Sequence, residues 1–125
     1  MEGYEVKIAQ SSIQLSAKER VAIKDISNAQ KLDQVIGDDE HLTINVAYTA
    51  ELAIHNEKAD NKDYKVFVIV DRDGTKYITS SESFISSYKN IEAEMADETE
   101  EWGLDVYKIP SKNYKGRSFI TCSIV

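Results

Sequence analysis

The chain has 125 residues, of which 42% are hydrophobic and 30% charged, values of a globular protein with one core rather than of a disordered chain or two domains. No apolar run approaches the roughly 20 residues needed to span a bilayer, and the single cysteine, Cys122, has no internal disulfide partner. The opening Met1-Glu2-Gly3-Tyr4-Glu5 lacks a basic region followed by an apolar run, so no signal peptide and a cytoplasmic location are expected.

Tyr4 to Ala9 is expected as a strand. Ser16-x-x-Glu19 and Ser27-x-x-Gln30 both have capping-box spacing and predict one or two short helices, while Val21-Ala22-Ile23 fits an edge strand equally well. Residues 41–55 carry the clearest pattern. Leu42, Ile44, Val46, Tyr48, Ala50, Leu52 and Ile54 occupy every even position, which predicts a long strand with one buried face. The polar stretch 56–63 is turn material, and the β-branched and aromatic run Tyr64 to Val70 is a second strand. Asp71-Arg72-Asp73-Gly74 forms a tight turn, from which Thr75 to Ser80 pairs back.

The period then changes. Phe84, Ile85, Tyr88, Ile91 and Met95 share a helical face behind an N-cap at Thr79, Ser80 or Ser81, predicting a helix over about 81–98. Gly103 to Ile109 is a fourth strand, Pro110 to Gly116 a basic loop, and Arg117 to Val125 a fifth strand. From residue 41 the order is strand, strand, strand, helix, strand, strand, the element order of the OB-fold. The expectation is a mainly β protein with one helix, an OB-like five-stranded Greek-key barrel over 41–125. Residues 1–40 are then an N-terminal extension packed on the barrel, in a single domain. The competing architecture is an α+β antiparallel sheet with the same helix.

Residues for chemistry are scarce. Cys122 sits mid-strand at an apolar position, where a cysteine is usually an inert small hydrophobe. His41 and His55 stand roughly 45 Å apart on an extended strand and cannot share a metal there. Asp71-x-Asp73-Gly74 lacks the further ligands of a calcium loop. No catalytic residue, metal or cofactor is expected, and the protein is read as a binder rather than an enzyme.

Charge is uneven although the net value is −7. Seven acids and no base lie between Glu92 and Asp105, whereas four bases and no acid (Lys108, Lys112, Lys115, Arg117) lie beyond it. Lys112, Tyr114, Lys115 and Arg117 interleave cations with a ring in the loop between the last two strands, the combination that single-strand binders use. Lys65 and Phe67 on the second strand, Lys76 and Tyr77 on the third, and Tyr107, Lys108 and Phe119 beside the loop complete the candidate surface.

The segments Tyr64-Lys-Val-Phe-Val-Ile-Val-Asp-Arg-Asp-Gly-Thr-Lys-Tyr77, Ser81-Glu-Ser-Phe84 and Pro110-Ser-Lys-Asn-Tyr-Lys-Gly-Arg-Ser-Phe-Ile-Thr-Cys122 resemble those of a family. It comprises small phage and mobile-element proteins of Gram-positive bacteria, commonly described as single-stranded DNA-binding or of unknown function. The likeness covers roughly residues 20–125 and implies an accessory of replication or recombination that coats single strands. Familiar bacterial single-strand binders end in an acidic tail that recruits partners. This chain ends in an apolar strand, so recruitment of replication or recombination proteins is expected through the acidic segment 92–105. The seven acids also support a different expectation, a DNA-mimicking anti-defence factor without DNA affinity. Self-association is a further expectation.

Overall fold

A computed structural model describes residues 3–37, 40–58, 60, 62–95, 102–110 and 118–124. The protein is mainly β. In chain order the elements are β1 (Tyr4–Ser11), α1 (Ala17–Lys24), β2 (Gln30–Lys31), α2 (Leu32–Val35), β3 (His41–Asn56), β4 (Asp63–Asp71), β5 (Lys76–Thr79), α3 (Glu82–Met95), β6 (Gly103–Pro110) and β7 (Ser118–Ile124). The chain divides into two compact units, residues 1–30 with 47–80 and residues 31–46 with 81–125. Strand β3 contributes its second part to the first unit and its first part to the second. Residues 1–40, expected as one extension, are thus shared between the units.

In the first unit the strand order runs β5-β4-β3, with β2 beside β5 and β1 antiparallel to β3. Even positions of β3 turn inward as the alternation requires: Ala50, Leu52 and Ile54 pack with Val66, Val68, Val70, Ile78, Leu15 and Ile23 in one apolar core. Among the described residues α3 is the one helix of segment 41–125, and the N-terminal segment supplies the short helices α1 and α2. The capping box at Ser16 forms: Glu19 N–H donates to Ser16 Oγ (3.2 Å) and Ser16 N–H donates to Glu19 Oε1 (2.9 Å). Val21-Ala22-Ile23 is accordingly helical, and Ile23 is buried. The second capping-box spacing does not start a helix. Ser27 donates from its N–H and Oγ to Asp25 Oδ1 (3.1 and 2.6 Å), a local turn, and Gln30 opens β2 instead.

The hairpin between β4 and β5 is built by its aspartates. Asp71 Oδ1 accepts from Asp73 N–H (3.0 Å), Asp73 Oδ1 accepts from Thr75 N–H (2.8 Å), and Gly74 takes the positive φ of +95° that closes the turn.

In the second unit the order is β3-β6-β7, all antiparallel. Ser81 starts α3: its Oγ accepts from Phe84 N–H (3.4 Å) and its carbonyl accepts from Ile85 N–H (3.0 Å). The helix packs on β7, where Ser83 Oγ donates to the Ile120 carbonyl (3.1 Å) and Ser87 Oγ lies 3.0 Å from Thr121 Oγ1. Phe84 and Tyr88 are buried, as are Leu32, Ile36, Ile44, Leu104, Val106, Ile120 and Cys122 of the same unit. Tyr88 also stacks on Trp102, ring centroids 6.2 Å apart. Ile124, of the same strand parity as buried Ile120 and Cys122, is exposed at the strand end. No helix among the described residues is long and apolar enough to cross a membrane.

Candidate nucleic-acid interface

Strand alternation and register together define one outward face of the second unit. His41 pairs with Tyr107 across β3 and β6, and Tyr107 pairs with Thr121 across β6 and β7. One row along, Ile109 pairs with Phe119. Odd positions of these strands therefore share the face opposite to buried Ile44, Leu104, Val106, Ile120 and Cys122. On it His41 and Phe119 are exposed and Tyr107 is half-buried, while Thr121 is buried where it meets Ser87 of α3. Phe119 is 39% exposed. Same-face diagonal neighbours such as Tyr107 and Phe119 stand roughly 7–8 Å apart in an antiparallel ladder, within reach of one another's large side chains.

The imidazole of His41 stacks on the Tyr107 ring, centroids 5.0 Å apart and planes 23° from parallel. Its Nδ1 lies 2.9 and 3.0 Å from the two carboxylate oxygens of Asp105, which orients the ring. Two flat surfaces, one of them a stacked pair, are thus presented beside the end of the sheet from which segment 111–117 departs and to which it returns. Lys112, Tyr114, Lys115 and Arg117 of that segment lie outside the described residues. So do Asp97, Glu98, Glu100 and Glu101 of the acidic run, whereas Glu92 and Glu94 lie on α3.

The remaining candidates separate. Phe67 and Tyr77 are corrected: they are 3% and 8% exposed, packed away on β4 and β5 where no base reaches them. Burial, with Asp71 and Asp73 nearby, pushes the Tyr77 phenol above its ordinary pKa, which keeps it neutral. Val66 to Val70 is apolar on both parities and both faces of β4 are covered from Val66 onward, so alternation could not single out an exposed ring. Lys76 is also reassigned. Its Nζ donates to the carbonyls of Ala22 (2.7 Å) and Asp25 (2.6 Å), capping the C-terminal end of α1. Lys108 alternates onto the face of Val106 and pairs with Ile120, opposite to Tyr107's face. Lys65 is exposed in the first unit, beside Lys7, Ala53 and His55 on the rim of an open depression of about 550 Å³.

His41 is the residue that sequence reading missed. Its signal was its parity, since it opens the outward series of β3, yet only the β3–β6 register brings Tyr107 and Asp105 to it.

His55 sits between two carboxylates of the first unit, Nδ1 2.7 Å from Asp63 Oδ1 and Nε2 2.5 Å from Glu57 Oε1. Those bonds, Asp63's foremost, raise its pKa, and the same contact lowers that of Glu57. Cys122 is buried, and burial pushes its thiol up to about 12. Such a thiol stays protonated and is a poor nucleophile.

The chain matches no known family, no characterised protein and no solved structure.

Proposed function

We propose that this protein binds single-stranded DNA without sequence preference, on the outward face of β3, β6 and β7 and the loop that joins the last two. The observation that carries this reading is the placement of the His41–Tyr107 stack and exposed Phe119 on one face beside that loop. Single-strand binding needs rings on which bases stack and cations that follow the backbone. The rings stand on strands, and Lys112, Lys115 and Arg117 of the loop sequence supply the charge.

The strand order supports an OB-type architecture. In such a barrel the first strand pairs with the second and the fourth, the third pairs with the second, and the fifth with the fourth. Pairings β5-β4-β3 in one unit and β3-β6-β7 in the other follow that scheme. The loop between the fourth and fifth strands is a usual ligand-binding loop of this architecture, and here it is segment 111–117. The binding surface is thereby moved from the second and third strands, whose rings are buried, to the fourth and fifth. Binding by stacking and phosphate contact requires no catalytic group, and the setting it implies is the bacterial cytoplasm.

Stacking is worth roughly 1–3 kcal/mol per base, so two ring sites with a few phosphate contacts give about micromolar affinity. The test is fluorescence titration with oligo-dT and with a duplex of equal length at two salt concentrations. The single strand is expected to bind more tightly, and more weakly as salt rises. Changing Lys112, Lys115 and Arg117 together to Glu abolishes binding. Wild-type affinity in that triple variant refutes the loop's role, and absence of any binding at low salt refutes the function.

A further inference from the structure

Among the described residues β1 is paired on one side, by β3, with Glu5 opposite His55, Val6 opposite Ile54 and Lys7 opposite Ala53. In an antiparallel ladder each residue turns its N–H and C=O either toward its partner strand or away from it, in alternation. The Glu57 N–H donates to the Gly3 carbonyl (2.7 Å), which sets the phase. Glu5 and Lys7 bond toward β3. Tyr4, Val6 and Ile8 therefore turn their backbone groups outward, forming an open sheet edge of the kind that another strand can extend.

We propose that this edge joins two copies of the chain, β1 pairing with β1 antiparallel about a two-fold axis at Val6. Two independent features select that axis. The first is length. The ladder of β1 is regular from Tyr4 to Ile8 and then shifts between Ile8 and Gln10, so the regular segment has five residues centred on Val6. The second is charge. With the axis at Val6, Glu5 faces Lys7 of the second copy and Lys7 faces its Glu5. Centring the pair on Glu5 sets two carboxylates opposite each other, and centring it on Lys7 sets two ammonium groups opposite each other. Like charges directly opposed destabilise a pair, and opposite charges stabilise it.

Both side chains are available. Glu5 and Lys7 are exposed and meet only in a 3.5 Å contact within their own strand, an arrangement that pairing exchanges for cross-strand contacts. Val6 and Ile8 are half-buried against the first unit's core, and a neighbouring strand covers them further. The same opposed charges that permit this one register discourage indiscriminate edge pairing. The contact is isologous and closes at two copies. Five residues from each copy make a small interface, of the weak and reversible class.

The test is sedimentation velocity on the full chain without DNA, from about 10 to 500 μM, a range suited to an interface of this size. Wild type is expected to pass from monomer to dimer with rising concentration. Glu5→Lys and Lys7→Glu each oppose like charges at the edge and weaken association at least tenfold. An equimolar mixture of the two variants restores the dimer, because every cross-strand pair is again Lys against Glu. Circular dichroism verifies that each variant folds. A wild type that stays monomeric throughout overturns the proposal. So do single variants that associate as wild type does, or folded variants whose mixture fails to recover the dimer.

Discussion

The ammonium of Lys76 donates to the carbonyl of Ala22 across 54 residues of sequence, at 2.7 Å, and to that of Asp25 at 2.6 Å. These carbonyls belong to the end of α1, where an uncapped helix leaves acceptors unsatisfied and the dipole favours a cation. Lys76→Met keeps the aliphatic stem and removes the donor. The expected loss is about 1 kcal/mol of stability, read as a lower urea midpoint with unchanged slope. Single-strand affinity in this variant should equal that of wild type. An affinity loss without a stability loss would return Lys76 to the binding surface.

Rings divide by burial in the same way. Phe67→Ala removes a side chain that is 3% exposed and is expected to cost about 3–5 kcal/mol of stability. Phe119→Ala, at a position 39% exposed, should leave the urea midpoint nearly unchanged. It should weaken oligo-dT binding about tenfold or more, the worth of one stacked base. Tyr107→Ala removes the His41 stack as well and should cost at least as much affinity. If both outward variants bind as wild type does, the face of β6 and β7 is not the interface.

The clamp on His55 makes part of the first unit's stability depend on pH. Its pKa is raised above the ordinary 6.5 by Asp63 and Glu57, so its contribution is complete below 6.5 and is lost as pH rises through the higher folded value. The Glu57 pKa is lowered from 4.5, so its contribution holds above 4.5 and disappears as pH falls through the lowered value. Thermal midpoints across this range should therefore be highest between those limits and decline on the alkaline side. His55→Gln should flatten the alkaline decline. A decline of equal size in His55→Gln would assign it to other groups.

Cys122 offers a check on its own burial. An ordinary thiol in this position of the scale has a pKa of 9.0, against about 12 here, so the thiolate fraction is about a thousandfold lower. Iodoacetamide at pH 8 should label native protein far more slowly than denatured protein. Labelling at the denatured rate would place the thiol at the surface.

Local patterns carried much of the fold. The period-2 run over 41–55 became β3, Ser16-x-x-Glu19 became the cap of α1, and Asp71-x-Asp73-Gly74 became the hairpin turn. Each depends on neighbours within a few residues, where spacing dictates which backbone groups a side chain meets. The helix over 82–95 was legible for the same reason, since its apolar face recurs at helical spacing.

The candidate site was not legible to the same degree. Alternation assigns Phe67 and Phe119 to strand faces, but it says nothing about which face another layer covers. Burial of both faces of β4 removed Phe67, while the outward face beyond β6 left Phe119 accessible. His41 acquired its meaning from Tyr107 and Asp105, the latter 64 residues away. Lys76 acquired its role from a helix end that no spacing connects to it. From residue 41 onward the sequence by itself determined which described segments are strands, helix and turns, because those follow from short-range backbone and side-chain preferences. Before it, local spacing left Val21-Ala22-Ile23 open between helix and edge strand and pointed to a helix after Ser27, where Gln30 opens β2 instead. The tertiary structure alone decided which rings and cations face outward, because strand register and layer packing join residues far apart in the chain.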